Sequence, residues 1–107
     1  MNYLVFIETT IFSSIRQELM TDDEFRELQS YLLESYKQGN TISQTGGCKK
    51  IRWYQKGTGK RGGLRIIYYP RPAYERLYLL LIYPKSIKDD LDSHEKAILR
   101  SFSQKLD

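Results

Sequence analysis

The sequence predicts an α+β fold in one domain spanning residues 1–107, and three observations predict it. Near the N-terminus, apolar residues recur at helical spacing behind cap-like residues, whereas residues 49–83 break into short alternating runs punctuated by glycine and proline. A last helical pattern follows, and the chain shows no repeated strand–helix–strand unit of the kind that builds a parallel sheet. With 107 residues, 40% hydrophobic and 28% charged, the chain suffices for one modest core without disulfides or metals.

Residues 2–8 read as a strand, with Tyr3, Val5 and Ile7 alternating against Leu4, Phe6 and Glu8. Both faces are largely apolar, which predicts a place well inside the sheet. Thr9 and Thr10 are suited to cap a short helix that turns Ile11 or Phe12, Ile15 and Leu19 to one side. Thr21-Asp22-Asp23-Glu24 is a capping box, so its acids serve a helix start and a solvated face rather than a metal or general-base site. Phe25, Leu28, Leu32 and Tyr36 then keep helical spacing, and Gly39 is expected to close that helix as its C′ residue.

Residues 40–47 form a polar connection. From Lys49 the pattern alternates again: Ile51 and Trp53 face the core, and Lys50, Arg52 and Tyr54 face the other way. A glycine-rich loop at residues 56–63 leads to a second strand whose period groups Arg65, Ile67 and Tyr69. Two prolines mark the turn at residues 70–75, and the nearly all-apolar residues 76–83 read as a central third strand. Ile87 and Leu91 lead to a helix with Ser93 as N-cap and Ile98 or Leu99, Phe102 and Leu106 turned inward. The expected architecture is therefore an N-terminal strand, two helices, three antiparallel strands completing a four-stranded sheet, and a C-terminal helix.

Charge is segregated along this order. Residues 1–40 hold three basic and seven acidic side chains, residues 41–76 nine and one, and residues 77–107 five and five. A cationic segment of this density raises the local potential and attracts polyanions, with binding that weakens steeply as salt rises. Its centre, residues 49–65, carries seven Lys or Arg, two aromatics and four glycines with no carboxylate, which suits RNA better than a small neutral substrate. Cys48 is the only cysteine and has no disulfide partner, and the N-terminus lacks a basic, cleavable leader. The expectation is a cytoplasmic protein that makes no use of a membrane.

Gly57-Thr58-Gly59-Lys60-Arg61-Gly62 matches the dinucleotide fingerprint literally, but a strand rather than a helix follows it, and no Ser or Thr follows Lys60 as a phosphate loop requires. The bland reading of this loop is a hairpin with solvated charges. Against it, the flanking strands project Lys50, Arg52 and Arg65, and a half-buried strand arginine is costly unless it is paired or meant for an anion. Lys49, Lys56, Lys60 and Arg61 extend this grip, and Tyr54, Tyr69 and Tyr83 are placed to stack on bases. His94 lies beside an exposed helix start, and Cys48 has no nearby histidine, so neither is the favoured catalyst. The basic segment contains no metal-ligand spacing. RNA cleavage is therefore expected without metal or cofactor, the 2′-hydroxyl serving as internal nucleophile.

The segments Lys50-Ile51-Arg52, Gly59-Lys60-Arg61-Gly62-Gly63-Leu64-Arg65-Ile66-Ile67-Tyr68-Tyr69 and Leu79-Leu80-Leu81-Ile82-Tyr83-Pro84-Lys85 resemble the RelE/ParE toxin superfamily, in particular the HigB-like toxins of bacterial type II toxin–antitoxin modules. The resemblance spans almost the whole chain. It implies a ribosome-dependent mRNA endoribonuclease that acts in the A site of the 70S ribosome, against mRNA and 16S rRNA, and is silenced by a cognate antitoxin. By the same resemblance Lys50 and Arg52 contact the RNA backbone, Arg65 holds the scissile phosphate, and Lys85 lines the site. Where relatives carry a tyrosine, histidine or second arginine soon after that last basic residue, this chain runs Ser86-Ile87-Lys88-Asp89-Asp90. The general acid and base are thus left open, with Tyr83 or Lys85 as substitutes. The rival readings are a ParE-like, non-nucleolytic toxin of DNA gyrase and a non-catalytic module that binds RNA or the ribosome.

Overall fold

The computed structural model describes residues 3–54, 63–88 and 90–106. Strand β1 (Val5–Glu8) leads into helix α1 (Thr10–Leu19) and then α2 (Asp22–Ser35). A 3-10 turn at Tyr36–Gln38 precedes the short strand β2 (Asn40–Thr41). Strands β3 (Lys49–Tyr54), β4 (Gly63–Arg71) and β5 (Arg76–Pro84) follow, with a second 3-10 turn at Pro72–Tyr74, and then helix α3 (Ser93–Leu106). No helix among the described residues is long and apolar enough to cross a membrane.

Local chemistry sets the helix starts. The Thr9 hydroxyl accepts from the Phe12 N–H, and the reciprocal capping box of Thr21 and Glu24 opens α2. Arg16, buried on α1, lays its guanidinium 4.4 Å from the centroid of the Phe25 ring and donates to Asp22 at 2.8 Å, which fixes the angle between the two helices. The cap of α3 is Asp92 rather than Ser93: its carboxylate accepts from the Glu95 N–H while Glu95 accepts from the Asp92 N–H. Aspartate one residue earlier completes a box that Ser93 could not.

The strands form one sheet in the order β1-β5-β4-β3-β2. β3, β4 and β5 are the expected antiparallel meander, and β1 joins β5 in parallel. Two expectations need correction. The sheet has five strands instead of four, because Asn40 and Thr41 pair with Lys50 and Lys49. β1 lies at an edge and not well inside the sheet, although Phe6 packs on one core and Ile7 on the other. Apolar residues on both faces report helices above and below a strand; they say nothing about its lateral neighbours.

Gly39 also differs from expectation. α2 gives way to the 3-10 turn, and Gly39 has φ −64°, outside the left-handed region of a C′ cap. Its glycine is required by proximity instead, since a Cβ there would stand 2.2 Å from the Tyr68 hydroxyl.

The sheet separates two cores. On one face α1 and α2 bury Phe12, Phe25, Leu28 and Leu32 against Ile66, Tyr68, Leu77 and Leu79. On the other, Leu99 and Phe102 of α3 cover Ile67, Tyr69, Tyr78 and Leu80. A β-bulge interrupts the β4–β5 ladder, where Ile67 pairs with Leu81 but Tyr68 pairs with Leu79, leaving Leu80 as the extra residue. The Thr9 hydroxyl donates to the Leu80 carbonyl at 2.9 Å and so satisfies the bulged backbone. The bulge reverses the parity of β5, turning Tyr83 toward the α3 side of the sheet.

Candidate nucleic-acid interface

Helix α3 does not cover its whole face. Past Ile67, toward the sheet end marked by Tyr54 and Gly63, the strands place Arg52 of β3 directly opposite Arg65 of β4, and Arg65 directly opposite Tyr83 of β5. All three are half-buried. The next row inward is Lys50, Ile67 and Leu81. Strand period thus brings together Lys50, Arg52, Arg65 and Tyr83, and without the bulge Tyr83 would face the α1 and α2 side.

Like charges directly opposite on neighbouring strands repel, and partial burial strips them of solvent. Such a row attracts anions, and the charge of Arg65 already acts on the Asp90 carboxylate. Arg52 donates to the Tyr54 hydroxyl at 2.9 Å with its guanidinium over that ring, yet its Nε is buried with no hydrogen-bond partner among the described residues. Gly63, on the neighbouring strand, lies flush against the stem of Arg52, where a Cβ would sit 3.5 Å from the side-chain carbons. Tyr54 is 58% exposed at the end of this row and offers a ring face to solvent.

Lys85 begins the turn after β5, half-buried, and its N–H donates to the Gly63 carbonyl at 3.0 Å, which holds it at the same end of the sheet as Tyr54 and Arg65. Two other residues singled out from the sequence lie elsewhere. Lys49 pairs with Tyr68, on the α1 and α2 side, and its ammonium donates to the Gly39 carbonyl and the Thr41 hydroxyl. Tyr69 is buried under α3 and presents no ring face for stacking. Lys56, Lys60 and Arg61 lie outside the described residues.

One residue of the site went unnoticed in the sequence. Asp90, on the turn before α3, accepts from the Lys50 ammonium at 3.1 Å. That hydrogen bond, with the charges of Lys50, Arg65 and Lys96 behind it, holds the Asp90 carboxyl below its usual range. An exposed carboxylate thus occupies the cationic face where a phosphate oxygen would be welcome. The pair of aspartates after Lys88 was its only sequence signal, and the 40-residue separation from Lys50 hides the contact. His94 is exposed on α3 and takes no part in the cleft that Lys50, Tyr83 and Asp90 line. Burial pushes the Cys48 thiol up to about 11, so it stays protonated and inert at neutral pH.

A solved structure of the E. coli RelE toxin, a free-state variant with two arginines replaced by alanine, matches 94% of this chain and 98% of its own with a TM-score of 0.63. This chain has the RelE fold. Sequence identity to that toxin is 14%, so the likeness lies in the path of the backbone. No protein-family model matches the sequence. On this RelE fold the present chain carries the arginine row, the lysine that Asp90 holds and the backbone bulge that turns Tyr83.

Proposed function

We propose that this protein is the toxin of a type II toxin–antitoxin pair, of the HigB-like branch, and an endoribonuclease that cleaves mRNA in the A site of the 70S ribosome. The observation that carries this reading is the cross-strand pair Arg52 and Arg65, two like charges held opposite one another on a half-buried face. Two cations set side by side attract a phosphodiester, and the RelE fold supports the same reading.

In this mechanism the RNA backbone lies along β3 against Lys50 and Arg52, and the scissile phosphate meets Arg65. The 2′-hydroxyl of the preceding ribose attacks phosphorus in line as its proton leaves to a base. The bond to the 5′-oxygen breaks, yielding a 2′,3′-cyclic phosphate and a 5′-hydroxyl once that oxygen is protonated. Arg65 stabilises the additional negative charge of the transition state, and Lys85 serves the proton transfers at the sheet end. Tyr54 and Tyr83 stack on flanking bases, while Lys56, Lys60 and Arg61 grip mRNA or 16S rRNA beyond the site. The cognate antitoxin presents an acidic segment to this face and silences it by charge complementarity.

Ribosomes programmed with a defined mRNA and incubated with the protein are expected to carry new 5′ ends inside A-site codons, in phase with the reading frame. Arg65→Ala is expected to abolish those ends while circular dichroism stays native. Retained cleavage by that variant would remove Arg65 from the chemistry, and intact mRNA with the unsubstituted protein would overturn the activity.

A further inference from the structure

Two clefts adjoin the cationic sheet face on its α3 side, and they share Lys96. The first, about 220 Å³, is lined by Lys50, Tyr83, Asp90 and Lys96 together with Thr41 of β2 and Ser43 just after it. The second, about 280 Å³, runs along α3 between Lys96 and Arg100, with Gln44 on its far wall and Gln104 at its end. Both are predominantly polar, and among the described residues Asp90 is the one carboxylate in either lining. Meeting at Lys96, they make a polar track from Lys50 and Tyr83, neighbours of the arginine row, to the surface of the helix.

The walls of this track are fixed to each other. Gln44 adopts a left-handed backbone with φ 65°, and Gly46 and Gly47 continue the turn at φ 77° and 112°. Thr45 ties the turn internally: its hydroxyl donates to the Ile42 carbonyl at 2.7 Å and accepts from the Cys48 N–H. Ser103 of α3 then donates to the Thr45 carbonyl at 2.8 Å, in full burial. A Cβ at Gly46 would sit 2.3 Å from that serine oxygen, so loop and helix touch without slack. Three hydrogen bonds thus tie the turn that carries Gln44 to the helix that carries Lys96 and Arg100, with Gln44 in the wall opposite them.

From this we propose that the polar track is a second RNA subsite, in which Lys96 and Arg100 contact successive backbone phosphates of the strand flanking the scissile position, and Gln44 and Gln104 contact its sugars or bases. The inference rests on the RNA-cleaving reading of the arginine row and extends it. Lys96 and Arg100 are one helical turn apart on the same side of α3, about 6 Å along the axis, comparable to one nucleotide step of an extended strand. Asp90 guards the junction between row and track, and an entering phosphate takes its place on Lys50.

The test measures binding of single-stranded RNA, a 12-mer and a 3-mer, to the full chain over a range of salt, with every 2′-hydroxyl O-methylated to prevent cleavage. In the Lys96→Ala/Arg100→Ala variant, the 12-mer is expected to bind at least tenfold more weakly at low salt, with a log–log salt slope shallower by about 1.4. The 3-mer, which fits the arginine row alone, is expected to bind unchanged. A Lys96→Arg/Arg100→Lys variant should restore the slope, which separates phosphate contact from helix damage. An unchanged 12-mer slope, with normal binding by the parent protein, overturns the track and leaves the arginine row standing. Absence of any RNA binding by the parent overturns the RNA reading itself, and the track with it.

Discussion

The two faces of one sheet are built to opposite rules. Under α1 and α2, Leu28, Leu32, Phe12 and Ile66 are sealed from water, and Arg16, the one buried charge among the described residues, is stacked on Phe25 and bound to Asp22. Under α3 the apolar cover stops at Ile67, and beyond it stand Arg52 and Arg65, facing one another with only partial burial. The first face carries the apolar burial that stabilises the fold, and the second presents neighbouring cations that attract anions. Substitutions on the first should therefore cost folding, and those on the second should cost RNA chemistry.

Leu28→Ala tests the sealed face with the largest expected loss of stability. Deleting a fully buried leucine side chain is expected to lower the unfolding free energy by about 2–5 kcal/mol in urea titrations, with cleavage per folded molecule unchanged. A loss below about 1 kcal/mol would mean that this core is less well packed than the structure shows.

Gly39→Ala probes the same face through a backbone contact. The added methyl drives against the Tyr68 hydroxyl, which is hydrogen-bonded to the Tyr36 carbonyl at 2.7 Å and has little room to move. A destabilisation of about 1–3 kcal/mol is expected from thermal or urea melts. Gly39→Ala combined with Tyr68→Phe should recover part of that loss; no recovery would mean the strain lies elsewhere.

On the open face, Asp90→Asn removes a carboxylate from the Lys50 ammonium. Affinity for noncleavable RNA is expected to rise roughly threefold at low salt, the scale of one exposed ion pair, and the gain should fade as salt is raised. Weaker binding would show that Asp90 positions Lys50 rather than competing for it.

The smallest expected effect is the response to acid. Asp22, Asp90 and Glu95 are each held below their usual carboxylate range, by hydrogen bonds from Arg16, Lys50 and Lys88 respectively. A lowered folded-state value means that the stabilisation is complete above the unfolded-state pKa near 4 and is lost as pH falls through the folded value. Urea midpoints should accordingly be level between about pH 7 and 5 and decline below about pH 4. A decline that begins above pH 6 would point to other groups.

What could be read from the sequence follows from how local each signal is. Alternation alone put Arg52 and Lys50 on one side of β3 and Arg65 with Ile67 on one side of β4, and pairing confirms that these sides coincide. The same alternation, applied to Lys49, assigns it to the face of Ile51, where the structure has it. Tyr69 shares its face with Arg65, but the reach of α3 decides that one is covered and the other not. The β5 bulge leaves no trace in a run as uniformly apolar as residues 77–82, so the orientation of Tyr83 could not be derived. β2 is too short for any period, and Asp90 meets Lys50 only through tertiary structure.

Arg65→Met separates the two faces most directly, because it keeps an apolar stem and removes the charge. Cleavage rate on programmed ribosomes and unfolding free energy should be measured on the same preparation. The rate is expected to fall by about 10²–10³-fold, as for loss of one transition-state charge stabiliser, while stability stays within about 1 kcal/mol of the parent. An undiminished rate, or a loss of stability on the scale of Leu28→Ala, would contradict the assignment of the arginine row to RNA cleavage.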